Sequence, residues 1–234
     1  MPIKQNVIMV LDTETADLTG SVYDVGAVIT TRKGEILEVY SALVSEVFED
    51  ADRMMGAFYA KKLFTHYARA LQDDDISLVP WAEICANLAR LVETHNVNVI
   101  SAYNLKFDLR VMKSTNKMLG GTSPILPKRE YKLLDLWRFA CEAKLNTRLY
   151  KDLARSQGWF SEAGNLKTGA EYAYRFCAGD WGFIEDHTAL SDALIETEIM
   201  KVCFAARKPI PYEGDAKTST LPPWQIVNPR KKRA

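Results

Sequence analysis

The feature that most constrains this chain is an apolar run that ends in two acidic residues. Residues 7–11 have the sequence VIMVL, and Asp12 and Glu14 follow in the stretch DTET. Five apolar residues in a row are typical of a strand covered on both faces, as in the centre of an α/β sheet. Because side chains alternate along a strand, Asp12 and Glu14 point the same way. Two neighbouring carboxylates repel, so this arrangement requires a proton or a cation to compensate them, unless the strand end is solvated.

Length and composition predict a cytoplasmic protein with one fairly large domain. The chain has 234 residues, and no apolar run approaches the roughly 20 residues of a membrane span. The opening residues MPIKQN are too short and polar for a signal peptide. Four scattered cysteines are typical of reduced thiols in the cytosol. Thirty basic and thirty acidic residues balance, and this neutral total neither favours nor excludes a nucleic-acid partner.

The periodicity of apolar residues predicts an α/β fold. Strands are expected at 7–11, 25–31, 36–44, 97–101 and 131–136. Amphipathic helices are expected at 80–95 and 109–119, from 137 onward, at 165–177 and at 187–207. Strands first, with helices and strands alternating afterwards, indicate a mixed β-sheet of about five strands flanked by helices on both faces.

The chain divides into a main domain, residues 1–208, and a proline-rich extended arm with a basic tail, residues 209–234, outside the core. Residues 48–79 are predicted to be a helical insertion in the main domain. The insertion mixes basic and aromatic residues, which would suit a lid over a nucleic-acid strand. An amphipathic helix with a solvated basic face explains the same mixture. The tail RKKR would contact phosphates through charge, or be a solvated end without a role.

Another acid, Asp108, follows a second short apolar strand, and Asn104 lies four residues before it. If the two strands are neighbours, Asp108 joins Asp12 and Glu14 in the crevice at the carboxyl ends of the strands. Carboxylate oxygens gathered there would bind Mg²⁺ or Mn²⁺. The alternative is that Asp108 is the N-cap of the helix that follows it.

His187 and Asp192 are the last pair of candidates. A continuous helix would direct them to different sides, because five helical steps turn the chain by about 140°. They converge if His187 lies in the loop before a helix and Asp192 lies within its second turn. The alternative for His187 is a solvated loop residue.

Three of these stretches resemble the exonuclease motifs of the DEDDh (DnaQ-like) 3′–5′ exonucleases, a family with an RNase H-like fold. They are LDTET at 11–15, AYNLKFD at 102–108 and HTALSDA at 187–193, and the resemblance spans residues 7–205. Three positions differ from the family: its DTETTGL is DTETADL here, with Ala16 and Asp17 in place of threonine and glycine, and Tyr103 stands where a histidine is common. The long segment between the first two motifs also differs, and its excess lies in the insertion.

The resemblance implies hydrolysis of phosphodiester bonds at the 3′ end of single-stranded nucleic acid, with release of nucleoside 5′-monophosphates. It implies two ions, Mg²⁺ or Mn²⁺, and a histidine that accepts the proton of the attacking water. The metal ligands implied by position are Asp12, Glu14, Asp108 and Asp192. The implied general base is His187. The residues expected to contact substrate are Thr15, Leu18 and Asn104.

Several alternatives stay open. The DnaQ-like residues of the motifs slightly favour DNA over RNA as the substrate. A 3′–5′ exoribonuclease is the alternative. The sister type of the family has the pattern Y-x-x-x-D in place of the histidine motif, and YKLLD at 131–135 fits it, although on a predicted strand. A proofreading or accessory subunit would use residues 209–229 to bind a polymerase or another replication partner. A nuclease fold that only binds nucleic acid is less favoured, because it would not need so many repelling charges.

Overall fold

The structure, a computed structural model, describes residues 6–17, 20–215 and 220–229. Its centre is a six-stranded mixed sheet. The strands are β1 (Val7–Thr15), β2 (Val22–Thr31), β3 (Ile36–Val44), β4 (Leu78–Val79), β5 (Val99–Ala102) and β6 (Lys132–Asp135). Their order across the sheet is β4-β3-β2-β1-β5-β6. The pairs β1–β2 and β2–β3 are antiparallel, whereas β1–β5, β5–β6 and β3–β4 are parallel. The predicted mixed sheet is confirmed.

Ten α-helices are present among the described residues. They are α1 (Ser45–Phe48), α2 (Ala51–Met55), α3 (Ala68–Gln72), α4 (Trp81–Thr94), α5 (Leu105–Met118), α6 (Leu136–Ala140), α7 (Arg148–Ser156), α8 (Ala170–Ala178), α9 (Ala189–Ala205) and α10 (Pro223–Val227). Two π-helical turns, Leu63–Tyr67 and Cys141–Leu145, precede α3 and follow α6. Within the described ranges, no helix has both the length and the apolar character that crossing a membrane requires.

The apolar run of β1 is explained by two separate cores. Met9 and Leu11 belong to the core that also contains residues of α4 and α5. Ile8 and Val10 belong to the other core, with residues of α6 to α9. All four side chains are fully buried. β1 therefore lies in the middle of a three-layer structure, and its alternating side chains reach both helical layers.

The insertion, residues 48–79, is less regular than predicted. It contains α2, the π-helical turn Leu63–Tyr67 and α3, and it ends in β4 at the edge of the sheet. The sequence pattern predicts no strand there. β4 is two residues long and pairs in parallel with the end of β3, so it has no alternating pattern of its own to detect.

Part of the predicted arm, residues 209–229, packs on the domain. Tyr212 forms an isolated antiparallel bridge with Leu134 of β6. Val227 of α10 is buried in the core formed with α6 to α9. The Asn228 side chain accepts from the backbone N–H of Leu166 at 2.9 Å and donates to its carbonyl oxygen at 3.1 Å. The basic tail at 230–233 lies outside the described residues, and the boundary at residue 208 stays a prediction.

Candidate active site

Asp12 and Glu14 lie inside β1, because the strand runs four residues beyond the predicted 7–11. They occupy the same alternating positions as Val10 and therefore face the α9 layer. Thr13 faces the opposite side, and its Oγ1 donates to Oδ1 of Asp108 at 2.9 Å. This hydrogen bond joins the first and second acidic motifs across the neighbouring strands β1 and β5.

Asp108 is not the N-cap of its helix, so that alternative is wrong. α5 begins at Leu105, and the cap position is taken by Asn104, whose φ of 76° is left-handed. Asp108 lies in the first turn of α5 and is buried. A carboxylate in the first helical turn is favoured by the helix dipole, which adds to the hydrogen bond from Thr13.

The third motif reaches the site because α9 starts directly on top of β2. Gly26 is the residue of β2 that pairs with Asp12. A Cβ on Gly26 would lie 2.3 Å from the carbonyl carbon of Ala189, the first residue of α9. Asp192 in the first turn of α9, rather than the predicted second turn, is thereby placed next to Asp12. Only glycine permits this close approach.

His187 lies in the loop before α9, where it was expected, and has a left-handed backbone with φ of 58°. Its Nδ1 is 3.9 Å from Oδ2 of Asp192 and 3.6 Å from Oε2 of Glu185. One ligand atom each from Glu14, His187 and Asp192 lie within 4.8 Å of one another. The His187 side chain is 31% exposed, so it is open to a small molecule such as water.

The carboxylates of the three motifs form one electrostatic cluster. Burial raises the pKa of Asp12 well above its usual range, and the charges of four other acids raise it further. In decreasing order of effect, these four acids are Asp108, Glu196, Asp192 and Glu14. Asp12 is thus the residue on which the cluster converges.

The individual shifts are large because the acids are buried together. Burial raises the pKa of Asp192 to about 9, with further contributions from Glu185 and Glu14. Burial raises the pKa of Glu14 to about 8, although the nearby Lys62 ammonium opposes the shift. The pKa of Asp108 is raised by burial to about 7, against the hydrogen bond from Thr13. Without a cation, several of these groups hold protons at neutral pH.

The cluster fits divalent metal ions. Oδ1 of Asp192 is buried and has no hydrogen-bond partner among the residues that the structure describes. An unpaired buried carboxylate oxygen beside other carboxylates is costly unless a proton or a cation compensates it. Carboxylate oxygens are the ligands that Mg²⁺ and Mn²⁺ prefer.

Two contributions to the site were not predicted. Glu196, one turn after Asp192 on α9, is buried with its Oε2 accepting from the backbone N–H of Tyr103 at 3.0 Å. Its spacing of four residues from Asp192 was a detectable signal. Lys62 of the insertion lies with its Nζ 3.6 Å from Oε1 of Glu14. No local pattern distinguishes this lysine from the exposed basic residues around it.

The structure describes two of the three residues that are expected to contact substrate. Thr15 is partly buried at the end of β1, just after a register shift between Glu14 and Thr15. Asn104 is exposed at the start of α5. Leu18 lies outside the described residues. Their roles toward substrate stay predictions.

The alternative third motif at 131–135 has a structural role. Asp135 ends β6 and caps α6, where its side chain accepts from the backbone N–H of Arg138 at 3.1 Å. This cap explains an acid at that position without catalysis.

Known proteins share the fold of this chain, but none of them assigns it to a family. No protein-family model matches the sequence, and no curated protein matches it. Among solved structures, exonuclease I aligns with a TM-score of 0.52 and 17% identity, over 85% of this chain and 40% of that one. The chain has the fold of exonuclease I. Exonuclease X in complex with 5′-overhanging duplex DNA aligns with a TM-score of 0.42 and 16% identity, over 87% of this chain and 95% of that one.

The RNase H-like α/β class expected from the sequence is therefore confirmed. The chain spans less than half of the exonuclease I chain. At this level of identity the likeness concerns the fold, so the activity has to be argued from the residues of the site.

Proposed function

We propose that this protein is a metal-dependent 3′–5′ exonuclease that hydrolyses phosphodiester bonds at the 3′ end of single-stranded nucleic acid. The observation that carries the proposal is the convergence of three distant motifs on Asp12. β1, α5 and the start of α9 each contribute at least one carboxylate, and the last also places His187 within 3.9 Å of Asp192.

The residues divide into those that hold metal and one that moves a proton. Two divalent ions, bound together, would lower the pKa of an attacking water and stabilise the leaving oxygen. The side chains that would hold them are Asp12, Glu14, Asp108 and Asp192. His187 would accept the proton of the water. Burial and the Lys62 ammonium lower the pKa of His187 below its usual range, which keeps the imidazole neutral and able to act as a base near pH 7.

The proposed substrate is a single strand, with DNA slightly favoured over RNA, and nucleoside 5′-monophosphates are the products. Thr15, the last residue of β1, and Asn104, which caps α5, would contact the terminal nucleotide. A 3′–5′ exoribonuclease is the alternative, because the proposed cleavage chemistry does not involve the 2′-hydroxyl that distinguishes the two sugars.

The expected polymerase partner finds no support in the packing of the described residues. It was suggested by residues 209–229, and part of that segment, α10, packs against the domain.

The test uses oligonucleotides with a fluorescent 5′ label. Single-stranded DNA, single-stranded RNA and duplexes with 3′ overhangs would be incubated with the protein in Mg²⁺, in Mn²⁺ and in EDTA. A 3′–5′ exonuclease produces a descending ladder of labelled products, whereas the opposite polarity releases the labelled nucleotide at once. We expect a ladder that EDTA abolishes.

Variants connect this activity to the site. Asp12→Asn and Asp192→Asn should remove activity, and His187→Ala should leave a small remainder. Asp152→Asn is the matched control, because that side chain is 57% exposed and pairs only with surface arginines in the described structure. Full activity of Asp12→Asn, or activity that persists in EDTA, would show that the assignment is wrong.

A further inference from the structure

The insertion, residues 48–79, touches the proposed catalytic histidine on two sides. The ring of Tyr59 is stacked on the ring of His187, with centroids 4.3 Å apart and an angle of 21° between the planes. Nζ of Lys62 donates to the carbonyl oxygen of His187. The same ammonium lies 4.2 Å above the Tyr59 ring. Tyr59 and Lys62 therefore contact both the side chain and the backbone of one residue.

His187 needs such support because its own backbone does not hold it. A left-handed conformation is unfavourable for a residue with a side chain and persists only where the surroundings enforce it. The loop before α9 lacks regular secondary structure from residue 183 to 188. The contacts from the insertion are therefore a physical reason why the His187 ring stays near Asp192.

The insertion is itself anchored to the same helix start. Tyr67, which is 2% exposed, donates from its hydroxyl to Oδ2 of Asp24 at 2.6 Å. The same oxygen accepts from the backbone N–H of Ala189 at 3.0 Å. Tyr67 also makes edge contacts with Tyr23 and Phe48, at 5.9 and 5.7 Å between centroids. One buried carboxylate thus joins the insertion to the first residue of α9, two positions after His187.

We propose that Tyr59 and Lys62 are positioning residues of the active site, and that the insertion holds the His187 imidazole in the orientation from which it accepts a proton. This inference rests on the proposed function for the identity of the reaction. The positioning itself is a statement about the metal-free protein and is measurable without substrate.

The first measurement is the NMR spectrum of the histidine rings in the metal-free protein. The chain has three histidines, and a His187→Gln spectrum assigns the resonance in question. A ring stacked at 4.3 Å shields the protons of its neighbour. In Tyr59→Leu we expect the His187 ring protons to move downfield, while Tyr59→Phe keeps the stack and the wild-type position. An unchanged His187 resonance in Tyr59→Leu would overturn the proposal.

The second measurement separates kcat from KM on a single-stranded substrate. A displaced general base slows the chemical step, and misplacement by about 1 Å is worth on the order of a hundredfold in rate. We expect Tyr59→Leu and Lys62→Met to lower kcat by about ten- to a hundredfold with KM changed less than about threefold. Tyr59→Phe and Lys62→Arg should recover most of kcat.

A matched control lies beside Lys62. Lys61 is exposed, so Lys61→Met should retain wild-type kcat and the His187 resonance, whereas Phe58, although 86% exposed, packs its ring 4.7 Å from that of Tyr59 and is not a neutral control. An equal loss of kcat in Lys61→Met would overturn the proposal, because it would indicate a general effect of charge. A wild-type protein without nuclease activity would refute the proposed function alone, since the NMR comparison would still decide whether Tyr59 stacks on the His187 ring, the contact on which the positioning depends.

Discussion

Replacing Gly26 with alanine tests whether the approach of α9 to β2 sets the geometry of the site. The added Cβ would lie 2.3 Å from the carbonyl carbon and oxygen of Ala189 and 2.4 Å from the nitrogen of Leu190. All three are backbone atoms, so no side chain can rotate away. Restoring an ordinary contact of at least 3.4 Å requires the start of α9 to move by about 1 Å.

This displacement acts on catalysis and on stability together. Asp192 is three residues after Ala189 in the same helix, so it moves with it. A shift of about 1 Å in a catalytic group costs on the order of a hundredfold in rate. Overpacking a core typically costs about 1–3 kcal/mol, which lowers Tm by roughly 2–12 °C for a chain of this size.

The assay compares kcat on a fluorescent single strand, measured well below the melting transition, with Tm from thermal denaturation. Gly182→Ala is the matched control, because a Cβ there meets nothing closer than Oδ1 of Asp180 at 3.8 Å. We expect Gly26→Ala to lose activity while it is still folded and Gly182→Ala to behave as wild type. Wild-type kcat and Tm in Gly26→Ala would refute the conclusion that this contact fixes the position of Asp192.

Two further predictions concern the buried acids. Glu14 and Asp192 have pKa values of about 8 and about 9 in the metal-free fold, above their ordinary values, so their contribution to stability is full at low pH and is lost as pH rises through the folded values. Tm of the metal-free protein should therefore fall between about pH 5 and pH 9, with Mg²⁺ restoring it most at the upper end; a metal-free Tm that rises over this range would contradict the shifts. Glu196→Gln replaces a buried carboxyl whose raised pKa favours the protonated form and keeps an oxygen for the N–H of Tyr103, so Tm at pH 7 should change little. A bound cation would favour the ionised form of Glu196 beside Asp12 and Asp108, and glutamine cannot supply that charge, so the variant should bind Mn²⁺ more weakly in a calorimetric titration; unchanged affinity would exclude Glu196 from the metal environment.

The local pattern of the sequence was sufficient for the elements that carry the acids. An unbroken apolar run needs cover on both faces wherever it occurs, so β1 could be predicted as a central strand. Strand alternation alone places Asp12 and Glu14 on one side. The helix rotation of about 100° per residue likewise required His187 to lie before α9 if it was to meet Asp192. These predictions follow from backbone geometry alone, so they can be made without knowing which other elements pack against the strand or the helix.

The boundaries of α5 show where local patterns stop being enough. The sequence placed the helix start near Asp108, whereas α5 begins at Leu105 after the left-handed Asn104. Leu105 is fully buried against the sheet, and this burial stabilises the extra turn. Packing therefore determines that Asp108 lies in the first turn of α5 and does not cap it.

The tertiary structure alone decided which other residues surround the acids of the site. Lys62 and Tyr59 come from a segment whose sequence fitted both a lid over a nucleic-acid strand and an amphipathic helix with a solvated basic face, and neither interpretation places them against His187. Glu196 shares a helix side with Asp192, but only the packing of α9 on β2 buries it. Contacts between residues 48 to 165 positions apart depend on how the layers stack, and no periodicity within the chain encodes them. The sequence by itself determined a buried strand ending in two carboxylates that require compensation. The packing of α9 and the insertion decided which charges surround them, because only burial in one shared volume makes those charges interact strongly.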